Sequence, residues 1–113
     1  MIDWRRFFLI ASCVLAGLLA GCAPSANSGG EENEAHFLKG NSRVSDRDYR
    51  GAIESFNEAL VANPQSAAAH FQLGWLYAEK EADPAAAIYH YQRYLQFRPS
   101  ADNAEIINQH VFR

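Results

Sequence analysis

Two phrases of six residues constrain this chain most: AHFLKG at 35–40 and AHFQLG at 69–74. Four of the six letters agree, and His70 lies 34 positions after His36. A repeat of this length is one supersecondary unit, which cannot bury its apolar face alone and must stack on a neighbour. The echo continues further along the chain, displaced by one residue: Ala87, Tyr91 and Pro99 each lie 35 residues after Ala52, Phe56 and Pro64. One inserted residue is therefore expected in EKEADP, between the two helices of the second unit.

Each unit reads as a pair of helices. Gly40 and Gly74 sit inside helical stretches, where glycine costs about 1 kcal/mol against alanine, so a close helix–helix approach is expected there. Ala52 and Ala59 put two small side chains on one face of the second helix, and Pro64 and Pro99 end their helices. Asp83-Pro84 has the form of an N-cap followed by proline in the first turn, and Ser66 and Ser100 are placed to cap the helices after each proline. The spacing predicts helices over 34–46, 48–62, 67–81, 84–97 and 101–112.

With Asn33 as the start of a 34-residue unit, Gly40, Ala52, Phe56, Ala59 and Pro64 match the pattern of the tetratricopeptide repeat. A second copy starts at Ala67 and carries Leu73, Gly74 and Tyr77. The resemblance covers about 33–99. It implies an all-α fold, a helical-hairpin solenoid of two helix-turn-helix units, 33–66 and 67–101. The segment 102–113 then forms a C-terminal capping helix with an inner stripe of Ala104, Ile107 and Val111. In this family the first helices of successive units line a concave groove. Carried over, that groove holds Phe37, Asn41, Val44, Phe71 and Trp75. Phe71 and Trp75 are four apart and share one helix face, as aromatic anchors for a peptide or as packing beneath the cap. Asn41 matches part of a carboxylate clamp found in chaperone-binding members, but Phe37 stands where that clamp has lysine.

The N-terminus is different in kind. Arg5 and Arg6 precede an uncharged apolar run, Phe7–Ala20, the pattern of a secretory signal. That run is too short to span a bilayer, which takes roughly 20 apolar residues. It ends in LAGC, 19–22, which resembles the lipobox of bacterial lipoproteins. The resemblance implies a signal peptide over 1–21 and acylation of Cys22; a lipid-bearing cysteine leaves no disulfide, since Cys13 lies within the signal. RRFFL, 5–9, also resembles the twin-arginine export motif, although Trp4 stands where that motif prefers a polar residue. Residues 22–32 contain no large apolar side chain and read as a flexible tether, reaching about 18 Å on average. The expected localisation is export with lipid anchoring, and the outer membrane if the source is Gram-negative, because Ala23 rather than aspartate follows the cysteine.

Composition narrows the function. The net charge is −3, and no basic stripe is present to replace phosphate counterions, which argues against nucleic acid. The four histidines show no metal-site spacing, and the carboxylates cluster in the tether and one turn. No enzyme activity, cofactor or metal is expected. The reading is a membrane-tethered adaptor of the bacterial envelope that holds a protein or peptide in its groove. The alternative is a self-associating structural component, a homo-oligomer that extends the stack without a dedicated groove.

Overall fold

In the computed structural model, residues 28–31 and 34–111 are described. Cys22, the expected signal over 1–21 and most of the expected tether lie outside them. Among the described residues the chain forms a single helical turn, Ser28–Glu31, and then α1 (Ala35–Ser45), α2 (Tyr49–Ala62), α3 (Ala67–Glu79), α4 (Pro84–Phe97) and α5 (Ala104–Val111). The helices α1 and α2 make one antiparallel hairpin, α3 and α4 a second, and α5 follows as the cap. The all-α helical-hairpin solenoid expected from the sequence is the fold observed.

Local chemistry explains the helix boundaries. The Glu34 carboxylate accepts from the N–H groups of His36 and Phe37, both at 3.0 Å. Asp48 accepts from Gly51 N–H, Ser66 from Ala69 N–H and Asp83 from Ala86 N–H. Each bond satisfies a donor that the first helical turn leaves unpaired. Pro64 and Pro99 follow the ends of α2 and α4. The turn at 80–83 is one residue longer than the turn at 46–48, where the displaced period put the insertion. Both turns contain a non-glycine residue in the left-handed region, Arg47 at φ 61° and Ala82 at φ 50°.

Gly40 and Gly74 mark a close approach between the two helices of each hairpin. A Cβ on Gly40 would lie 2.6 Å from the Phe56 ring, and one on Gly74 would lie 2.8 Å from the Tyr91 ring. Around these contacts the core forms two clusters. The first unites Phe37 of α1, Ala52, Phe56 and Ala59 of α2, and Ala68, Ala69, Leu73 and Leu76 of α3. The second unites Ala67 of α3, Tyr94 of α4, and Ile107 and Val111 of α5. Ala104, Ile107 and Val111 are all buried, as the expected inner stripe of the cap.

Two expectations are corrected. The cap helix starts at Ala104, not near residue 101, because Asp102 and Asn103 first make a turn in which Ala104 N–H bonds to Ala101 C=O. Ser100 is therefore not its N-cap. The segment read as tether is also not free at its end. Glu31 accepts from Ala68 N–H at the start of α3 and pairs with the Arg98 guanidinium at the end of α4, each at 3.3 Å. A carboxylate at a helix N-terminus meets both unpaired donors and the positive end of the helix dipole.

Candidate functional site

The five residues assigned to the groove separate. Phe37 is 4% exposed and its ring lies 5.3 Å from that of Phe56, so it belongs to the core and offers no groove surface. The physical reason is the poverty of α1. Its inward apolar side chains Phe37 and Val44, with Gly40 between them, make one stripe at i, i+3 and i+7, and the core with α2 takes that stripe, while Leu38 is exposed. Val44 packs against the same cluster, and Asn41 is half-buried with its carbonyl accepting from Ser45 Oγ. Trp75 also packs against the first cluster and Phe71 against the second, and both reach the same cleft.

They form one wall of a cleft of about 780 Å³ between α3, α4 and α5. Helix α3 is apolar on nearly every side: its buried face closes the first cluster, Phe71 is half-buried toward the cap, and Trp75 is half-buried between the first cluster and the cleft. The Phe71 ring lies 6.2 Å from Tyr91 and 5.2 Å from Tyr94. The opposite wall is Ile106 and Val111 of α5, and Ile88 and Tyr91 of α4 close the floor. Polar groups are few, chiefly Glu79, Asn103 and His110. Burial, with Glu79 nearby as a lesser cause, pushes the Tyr91 hydroxyl pKa above its ordinary value.

Beside the cleft, Tyr94 occupies the place that Ala59 holds one repeat earlier. Where Ala59 lets α3 settle closely onto α2, the Tyr94 ring stands between α4 and α5, and its hydroxyl donates to Asn103 Oδ1 at 2.7 Å. This bond holds the start of the cap, Ile107 and Val111 hold its middle and end, and a cleft lies beside Phe71 and Trp75. The volume falls within the range of ligand pockets, roughly 300–1,000 Å³.

A family model for the tetratricopeptide repeat matches residues 37–102, more than half of the chain. The chain belongs to the tetratricopeptide repeat family. The match runs through both hairpins and stops before the cap helix. No curated protein and no solved structure matches the chain. Tetratricopeptide repeats form a protein-interaction fold that is typically non-catalytic, and the cleft, with its large apolar walls and few polar groups, has the chemistry of such a surface.

Two features were missed by sequence reasoning. Ile106 and Ile107 are adjacent, so on a helix only one of them can face inward: Ile107 is buried and Ile106 is 59% exposed at the cleft. That signal was present in the sequence. The second feature is a pair of buried histidines, His70 of α3 and His90 of α4, with their Nδ1 atoms 3.0 Å apart. The His70 Nε2–H donates to the Pro64 carbonyl at 3.2 Å, which leaves its Nδ1 as an acceptor for the Nδ1–H of His90. Tyr77 stacks on the His90 ring at 5.6 Å. Burial, and then the charge of His70, lower the His90 pKa to about 4; burial is also the main cause that lowers His70. The register that sets Tyr91 against Gly74 brings its neighbour His90 to His70, one turn away along α3. Among the described residues no group of three or more His, Cys, Asp or Glu side chains is placed to hold a metal ion, and no helix is long and apolar enough to cross a membrane.

Proposed function

We propose that this protein is an exported adaptor, anchored by lipid on Cys22, that holds a segment of an envelope protein in the cleft between α3, α4 and α5. The observation that carries the binding half is the pairing of Phe71 and Trp75 on one wall of an open apolar cleft. Aromatic side chains in partly desolvated pockets supply much of the energy at protein interfaces. The anchoring half rests on LAGC at the end of an apolar, arginine-led segment, 19–22. Two or more acyl chains hold a protein stably at a bilayer where one does not. The six steps from Cys22 to Ser28 span at most about 21 Å, so a lipid on Cys22 keeps the folded part close to its membrane. Glu31 then fixes the root of that segment to both helices of the second hairpin, which would limit how far the domain turns about its anchor.

The test has two arms. Cys22→Ser should move the protein out of the membrane fraction, and retention there would remove the lipid anchor from the account. Crosslinking of full-length protein in membranes, followed by mass spectrometry, should recover one dominant envelope protein that is lost with Phe71→Ala/Trp75→Ala. Recovery of the protein alone, unchanged in that variant, would favour the self-associating reading.

A further inference from the structure

We infer that the cleft between α3, α4 and α5 is built for a basic amphipathic segment, whose apolar side chains enter the cleft while its lysines or arginines face a carboxylate rim. This deepens the adaptor reading and rests on it. Glu79 lines the cleft itself. Ala82 and Pro84 also line it, and Glu81 and Asp83 flank them in the chain; Asn103 and Ile106 are flanked in the same way by Asp102 and Glu105. All five carboxylate residues are exposed, and none of them forms an ion pair with a described residue. The carboxylates that do pair, Glu31, Asp48, Glu54 and Glu58, belong to the leading turn and the first hairpin.

Among the described residues, positive charge near the cleft is scarce, and most of it is already engaged with rings or carboxylates. Lys80 turns its ammonium group over the rings of Tyr49 and Trp75, at 4.8 and 5.4 Å from their centroids. Arg93 lies over Phe97 and bonds to Gln96, and Arg98 is paired with Glu31. His110 is the remaining basic group on the lining. An acidic or neutral segment would leave the five carboxylates uncompensated, and an acidic one would be repelled. A segment with Lys or Arg on its outer face meets them, which favours both encounter and orientation. Apolar residues at i, i+3, i+4 and i+7 of a helix would meet Phe71, Trp75, Ile88 and Ile106 on one face.

The test uses two labelled synthetic helical peptides with the same Leu/Trp stripe, one carrying lysines and the other glutamates on the remaining positions. Each is titrated by fluorescence anisotropy against full-length protein in a nonionic detergent, above a detergent-only blank. The lysine peptide should bind at least tenfold more tightly, a difference of about 1.4 kcal/mol. Raising salt from low to several hundred millimolar should remove most of that advantage. Glu79→Lys/Glu105→Lys changes only exposed side chains, and it should reduce or invert the preference while helicity stays the same. Equal binding of both peptides, or no response to salt or charge reversal, would overturn the basic-partner inference and leave the cleft as a binding site. If neither peptide bound, the inference and the adaptor reading beneath it would both fall.

Discussion

The junction between the two hairpins and the junction between the second hairpin and its cap follow the same repeat scheme, yet one is closed and the other is open. At the first, α3 settles onto α1 and α2 through Ala52, Ala59, Ala68 and Ala69, and Phe56, Leu73 and Leu76 are completely buried. At the second, Tyr94 stands in the place of Ala59, α5 is a short helix resting on Ile107 and Val111, and a cleft of about 780 Å³ remains. The two junctions thus differ at a position that is small in one copy and aromatic in the other, and in the length of the helix that follows.

The largest expected effect tests the closed junction. Phe56→Ala should cost about 3–5 kcal/mol in chemical denaturation, because a completely buried ring leaves a cavity that its neighbours fill only in part. Ile106→Ala, at the open junction, should change stability by less than about 0.5 kcal/mol. Equal losses would erase the distinction between the two.

Acidification should act on the second hairpin. The His90 pKa is lowered to about 4 by burial and by His70, with Arg93 lowering His70 and Glu31 and the Pro64 carbonyl opposing that shift. Between pH 6.5 and 4 the unfolded chain therefore binds more protons than the folded one. Stability is full above pH 6.5 and should fall by about 3 kcal/mol as pH drops toward 4. His90→Phe should flatten a melting-temperature profile over that range; a profile unchanged by the substitution would remove the pair as its cause.

Smaller effects sharpen the comparison by showing what the hairpins share. Gly40→Ala and Gly74→Ala each drive a methyl group into a packed ring, Phe56 or Tyr91, and should each cost about 1–3 kcal/mol. Similar costs would place the difference between the two halves in the junctions rather than within the hairpins. Smallest of all, Ala82→Gly relieves a left-handed alanine in the turn before α4 and should raise stability by up to about 1 kcal/mol. A loss on thermal denaturation would contradict the turn geometry.

What the sequence made legible was local. The period, the inserted turn residue, the caps at Ser66 and Asp83, and the close approaches at Gly40 and Gly74 each depend on residues within one hairpin, where spacing determines geometry. What it hid depends on contacts across elements. His36 and His70 occupy the same place in their repeats, but His36 meets Glu58 at the surface while His70 meets His90 in the interior. Glu31 reads as tether because nothing local shows Ala68 and Arg98 waiting for it. Phe37 followed the family pattern into the groove, yet α1 has one inward apolar stripe and spends it on the core of its own hairpin. Phe71 and Trp75 share a helix face as the sequence implied, but the cleft beside them is made with side chains of α4 and α5 that are distant in sequence.

The open junction is tested most directly by photo-crosslinking in living cells from two exposed positions. A photoreactive phenylalanine analogue replaces Ile106 within the cleft or, in a separate strain, Val61 of the first hairpin, which is 84% exposed and lies outside the cleft lining. The account predicts a discrete crosslinked partner from position 106 and none from position 61. The same product from both positions, or a partner from 61 alone, would contradict it.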